Sequence, residues 1–451
     1  MPCIQGRLDA SPGGVESEAN NAATEQAPCL LERPRMSAQA HLENASASPP
    51  AGALNLAVIG AGPVGLALAL KAAQTLPTAR VTLFDARPLD KDVSGDPRAL
   101  ALSLGSVQML ERMGAWNAEA AQSILEVHVS QQPPTLSGPL AGPLAGLIGE
   151  PEVRISAIDE AVPLLGAVLS YGAIVAPLQK AWEAAVTAEP QRLSSRFGVP
   201  VAALKPVGTG VDAGVEVDAG IADRFDLAVV AEGGVFSGQV RKAVAHDYRQ
   251  TAWVGTVALK DAKPGVAFER FTRHGPAALL PLKDGRAALV WCVNSDDDPV
   301  AALDDAQRLS VLNTIFHREV GELTALSPLK QFALGLNAER TLTQGRTVRI
   351  GNAAQTLHPV AGQGLNLGLR DAFELISALS KSNDINAVLR RLEWQRGPDR
   401  WAMIAATDFL ARSFTWKLPG AGTARGLGLA ALQVLGPVKS FVARQMMFGS
   451  R

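Results

Sequence analysis

Apolar positions in this chain are clustered, and their spacing changes character several times between residue 54 and the C-terminus. Leu54-Asn55-Leu56-Ala57-Val58-Ile59 is a short apolar run that reads as a buried strand, and Pro63 to Leu76 is an Ala/Leu-rich stretch of helical length. Val81-Thr82-Leu83-Phe84 reads as a second strand. Strand, helix and strand in this order predict a right-handed βαβ unit with parallel strands. Residues 133–149 are Pro/Gly-rich, with the near-repeat Gly138-Pro139-Leu140-Ala141 and Gly142-Pro143-Leu144-Ala145, and read as a loop. Residues 246–338 hold β-like runs such as Ala287 to Val293, separated by Pro and Gly, and from about residue 364 the pattern is mainly helical. The prediction is an α/β protein. A discontinuous Rossmann-like domain (54–125, 160–245 and 339–385) is interrupted by a β-sheet domain (126–159 and 246–338) and followed by C-terminal helices (386–451). Residues 1–53, rich in Ala, Pro, Ser, Glu and Asn and without periodicity, predict a disordered tail. Met36 within it offers a second translation start.

Length and charge narrow the functional classes. The 451 residues suffice for two or three packed units. With 42 basic and 43 acidic residues and few aromatics, no broad basic field or stacking surface suggests nucleic acid. The three cysteines, Cys3, Cys29 and Cys292, imply no disulfide framework, and the six histidines show no metal-ligand spacing. No uninterrupted apolar run reaches about 18 residues, and the N-terminus lacks a signal-peptide pattern, so a reducing cytoplasm is expected.

Gly60-Ala61-Gly62-Pro63-Val64-Gly65 fits GxGxxG at the strand-to-helix junction, where that motif has a mechanism. Gly60 permits the tight turn, Gly62 the close approach of a pyrophosphate, and Gly65 the close packing of helix on strand. The helix N-terminus offers N–H groups and a positive dipole end to the phosphates. Asp85 follows at the end of the second strand, placed to accept a ribose hydroxyl. The motif predicts a dinucleotide but does not separate FAD from NAD.

A second block runs Gly351-Asn352-Ala353-Ala354-Gln355-Thr356-Leu357-His358-Pro359, then Val360-Ala361-Gly362-Gln363-Gly364-Leu365-Asn366-Leu367-Gly368. Three glycines between 362 and 368 imply close backbone approach to something flat or charged. An amphipathic helix follows, with Leu369, Phe373, Ile376 and Leu379 on one side. This block, to Asp371, resembles the second flavin motif of class A aromatic hydroxylases, and specifically the ubiquinone-biosynthesis hydroxylases (the UbiH/UbiF group). Asn352 stands where the wider class usually has Asp. The wording Asn-Ala-Ala-Gln-Thr-Leu-His-Pro is similar to the 2-polyprenyl-6-methoxyphenol hydroxylase branch. Asp96-Pro97-Arg98-Ala99-Leu100-Ala101-Leu102-Ser103 and the stretch Phe268 to Thr272 are also family-like.

The resemblance implies FAD as cofactor. It places Arg98, Glu232, Gly351, Asn352, Gly362, Gln363, Gly364, Leu365 and Asn366 with Gly60, Gly62, Gly65 and Asp85 in its binding, and His358 and Pro359 facing the flavin. Helix N–H groups after Gly362 would then stabilise the charge that reduction puts on the pyrimidine ring. It also implies that NADPH or NADH reduces the flavin, that O2 adds at C4a, and that the ring of a polyprenylated phenol is hydroxylated. Glu232 departs from the Asp of the class, which bears on NAD(P)H handling. Other ubiquinone-biosynthesis proteins are expected partners. The apolar positions from Gly426 to Phe448 read first as a helix capping the FAD domain, with peripheral contact at the inner face of a membrane as the alternative. Two rival functions fit the same motifs: hydroxylation of a soluble phenolic compound, or a non-catalytic subunit that holds FAD.

Overall fold

The apolar run at Asn55–Ile59 forms the central strand of a six-stranded sheet, flanked by Arg80–Asp85 on one side and Leu227–Val230 on the other. Leu193–Phe197 and Thr347–Arg349 extend it, all parallel, and Thr343–Gln344 adds an antiparallel edge. The computed structural model describes residues 53–132, 150–233, 242–316, 318–413 and 421–449. The N-terminal tail with Met36, the Pro/Gly-rich stretch 133–149 and the segment 234–241 lie outside the described residues.

Eight helices are described: α1 (Pro63–Thr75), α2 (Leu104–Arg112), α3 (Tyr171–Ala188), α4 (Asp305–Ile315), α5 (Gly364–Leu379), α6 (Ile385–Ser413), α7 (Ala421–Val434) and α8 (Gly436–Phe448). Alternation along the parallel strands sends Leu56, Val58, Val81 and Leu83 into one core with α1, α3 and α5. Ala57, Ile59 and Phe84 point the other way, onto Val215, Val217 and Phe225 of a small antiparallel sheet. Both faces are covered, so these strands read as continuous apolar runs.

The second large sheet runs, in order, Gln355–Thr356, Lys330–Ala338, Val244–Lys260, Arg286–Asn294, Pro276–Pro281, Val266–Phe271, Glu126–Gln131 and Glu152–Ser156. Glu322–Leu326 pairs at the side of the long Val244–Lys260 strand. Its two faces differ. Trp253, Trp291 and Val293 pack beneath Leu312 and Ile315 of α4, whereas Val290 and Cys292 face a cavity. The architecture is a Rossmann-like α/β fold with an interrupting β-sheet and C-terminal helices.

Candidate functional site

The glycine turn is built as its spacing requires. Gly60 has φ of +102°, and a Cβ there would lie 2.7 Å from the Glu232 backbone nitrogen. A Cβ at Gly65 would come within 1.8 Å of the Gly60 carbonyl oxygen, so helix α1 sits on the turn only because position 65 is glycine. At Gly62 the nearest atom to such a Cβ is the Tyr171 hydroxyl at 3.8 Å, leaving the approach to the α1 N-terminus open. No side chain caps that end and no acidic residue lies in its first turn. Asp85 accepts from the Ala61 N–H at 2.5 Å and the Arg87 N–H at 2.7 Å, so its first role is to hold the turn. Arg98 is mostly exposed, pairs with Asp96 at 2.7 Å and lies over the Tyr171 ring at 4.3 Å. Partial burial, with Asp85 nearby, raises the pKa of Glu232.

The second block closes on the first. Gly351 has φ of +59° and faces Val64 of α1, and a Cβ at Gly368 would lie 2.8 Å from the Gly351 Cα. These close approaches bring the uncapped N-terminus of α5 beside that of α1. Asn352 is exposed, its Cβ packs against Gly233, and its carbonyl accepts from Lys242 Nζ at 2.7 Å. Burial lowers the Lys242 pKa to about 8. Asn366 is buried and its amide is satisfied within the protein. Its nitrogen donates to the Ala101 and Gly362 carbonyls, and its oxygen accepts from Ser103 N–H and Ser106 Oγ, both at 2.8 Å. Its observed role is to staple the Gly362–Gly364 loop to the strand Ala99–Ser103. Leu365 packs against the main core, and the side of Gly364 where a Cβ would stand is open.

His358 and Pro359 part company. Pro359 lines the cavity, as do Gly362 and Gln363. His358 does not; it is 2% exposed, with Nε2 2.9 Å from Gln250 Oε1 and Nδ1 accepting from the Val360 N–H. Gln250 follows a bulge in the long strand, where Arg249 takes a positive φ. Burial drops the His358 pKa to about 4, so it stands neutral and supports the loop from behind.

The cavity lies between these flavin-motif loops and the second sheet. Its floor is Ala267, Glu269, Ala278, Leu280, Val290 and Cys292; Met446 and Met447 of α8 close one side. Tyr171, Ser106, Gln250, Glu269 and the α8 methionines are thus candidate site residues that the sequence patterns do not single out. The lone acid in the apolar strand Val266–Phe271 was the one visible signal.

The donor set fits a flavin dinucleotide: two uncapped helix ends converge, with open backbone at Gly62 and Gly364 and no acidic side chain in either first turn. Comparison with known proteins agrees. The chain matches the FAD binding domain family over residues 53–393. It is 29% identical over 400 residues to the 3-demethoxyubiquinol 3-hydroxylase of Escherichia coli, covering 85% of this chain and 96% of that protein. It is 35% identical over 207 residues to the ubiquinone hydroxylase UbiL of Rhodospirillum rubrum, a match spanning 44% of this chain and about half (48%) of that relative. Among solved structures, Klebsiella pneumoniae HpxO with FAD and uric acid superposes with a TM-score of 0.64 at 17% identity, covering 88% of this chain and 97% of that one. The chain belongs to the FAD binding domain family, with the fold of class A flavoprotein monooxygenases and FAD as its cofactor.

Proposed function

We propose that this protein is an FAD-dependent monooxygenase that uses O2 and NADPH or NADH to hydroxylate the aromatic ring of a polyprenylated phenol in ubiquinone biosynthesis. The observation that carries this reading is similarity along nearly the whole length of a relative named for a ubiquinol ring hydroxylation. An apolar cavity against the flavin-motif loops supports it, because a prenylated ring needs a dry, apolar seat. Bound FAD supplies the redox chemistry and the activation of O2. The protein supplies the rest. The N-termini of α1 and α5 hold negative charge, Asn366 fixes the loop, neutral His358 braces Pro359, and the cavity wall excludes water. Deleting the gene in a ubiquinone-producing host should cause one under-hydroxylated polyprenyl phenol to accumulate, identified by mass spectrometry. Normal ubiquinone with no such intermediate, in a host lacking a second hydroxylase, would point to a soluble phenol.

The substrate's prenyl chain also gives the C-terminal helices a role. Among the described residues no single helix is long and apolar enough to cross a membrane, but α7 and α8 form a pair bent by 98°. At about 1.5 Å per residue each is too short for a bilayer core of about 30 Å. Val434, Leu435, Val438 and Phe441 are exposed at and beyond their junction, while Ala443, Met446 and Met447 of α8 line the cavity. We read α8 as lying on a lipid surface with its inner face against the substrate. The double variant Val434→Ser, Phe441→Ser should lose co-sedimentation with anionic liposomes while retaining FAD; unchanged sedimentation would remove these helices from membrane contact.

A further inference from the structure

Two adjacent charged residues of the strand Val266–Phe271 meet opposite fates. Arg270 points away from the cavity, donates to Glu150 at 2.7 Å and to the Ile315 carbonyl, and is buried and paired. Glu269 points into the cavity. Among the described residues no donor meets its carboxylate. Its pairing neighbours in the sheet are Ala278 and Val129.

The other titratable group lining the cavity is the Cys292 thiol, pushed up by burial and then by Glu269 itself. The remaining walls bring no charge: Ala101 and Ser103 from one strand, Gln363 and Asn366 from the second flavin block, and Met446 and Met447 from α8. Burial alone lifts Glu269 to about 8. An unpaired carboxylate in an apolar cavity is costly, so a structural role would have given it a cation.

We propose that Glu269 is a catalytic residue that receives the hydroxyl of the phenol and takes its proton while the ring is hydroxylated. This rests on the reading of the protein as a phenol hydroxylase and adds the group that activates the ring. The phenol O–H bond breaks, the proton passes to a Glu269 oxygen, and the electron pair stays on the phenolate oxygen. That charge raises electron density at the ortho and para carbons. One of these carbons gains an oxygen atom from O2, whose second atom leaves as water with electrons from NAD(P)H. The attacked carbon then loses its hydrogen as a proton, and Glu269 returns its own to the original oxygen. An ordinary glutamate lies about 5–6 units below a phenol, and desolvation narrows the gap to about 2, which favours transfer.

The test uses the FAD-loaded full-length protein with 2-geranylphenol and geranylbenzene as probes. Calorimetric titration at pH 8 should show wild type binding the phenol at least about tenfold more tightly than the hydrocarbon. Glu269→Gln should keep its FAD and bring that ratio to within about twofold. Its hydroxylation rate should fall about a hundredfold and lose the pH inflection seen in wild type, with partial recovery in Glu269→Asp. Wild-type binding that ignores the hydroxyl, or a Glu269→Gln protein with unaltered selectivity and pH profile, overturns the proposal. Hydroxyl selectivity that depends on Glu269 without any hydroxylation would instead remove the monooxygenase reading and the proton-transfer step, leaving Glu269 as a binding group only.

Discussion

The seam between α5, α6 and α8 and the floor of the cavity each hold an acidic side chain, and they treat it in opposite ways. At the seam, Asp371 is 0% exposed and accepts from Arg396 Nε at 2.7 Å, while Arg396 also donates to Asp399 at 2.7 Å. Gln445 of α8 donates to Asp399, and Arg370 donates to the Met446 carbonyl at 2.7 Å, so the network ties the cavity wall to the helix at the second flavin block. At the floor, Glu269 has no such partner among the described residues. Burial raises the pKa of both acids, but Arg396 opposes it at Asp371 alone. A buried acid with dedicated cationic partners is a fastener, whereas one without them in an apolar cavity is held at a cost and is open to whatever enters.

Breaking the fastener should give the largest effect. Asp371→Ala leaves Asp399 alone to balance the buried Arg396 and Arg370, and stability in urea denaturation should fall by about 3 kcal/mol, with FAD lost on gel filtration. A milder effect belongs to His358, a buried base that Gln250 satisfies in its neutral form. Its folded pKa of about 4 lies below the unfolded value of 6.5, so the unfolded chain takes the proton first. Stability should therefore fall by roughly 3 kcal/mol between pH 6.5 and pH 4, and His358→Gln should flatten that slope.

The floor should respond with the opposite sign. Glu269 has a folded pKa of about 8 against 4.5 for the free side chain, so its contribution is full below pH 4.5 and is lost as pH rises through 8. Glu269→Met should leave stability unchanged at pH 4.5 and raise it by about 1–3 kcal/mol at pH 8.5, measured by denaturant titration. A destabilised variant at both pH values would mean that Glu269 is a fastener after all.

The two regions also differ in how much the sequence revealed. The geometry of the glycine loops was legible because it is carried by backbone at fixed local spacing: Gly60, Gly62 and Gly65 lie within one turn, and the Gly351 and Gly362–Gly368 glycines within one block. The cavity is assembled from strands and a helix as far apart as Ala101 and Met447, and only the sheet register brings them together. Alternation in Val266–Phe271 could not tell that Arg270 finds Glu150 while Glu269 finds nothing. His358 reads as a flavin neighbour from its motif, but a buried imidazole needs a partner, and the bulge that aims Gln250 at it leaves no sequence signature. Asn366 likewise sits in the right block yet spends its amide on four protein groups.

That last residue gives the smallest and most discriminating test. Ser106→Ala removes one of the two donors to Asn366 Oδ1 and leaves the Ser103 N–H in place. One lost hydrogen bond corresponds to about 1 kcal/mol, or about fivefold in an equilibrium constant. If Asn366 acts by stapling the loop that approaches the cofactor, that loss should appear in FAD affinity, measured by titrating FAD into the apoprotein and following fluorescence quenching. Adding Ser106→Ala to an Asn366→Ala protein should then cost little further in affinity, because the hydroxyl's other partner, Ser103 Oγ, lies at a long 3.4 Å. An additive loss would mean that Ser106 reaches the cofactor by another route, and that this polar cluster is part of the binding surface rather than the scaffold behind it.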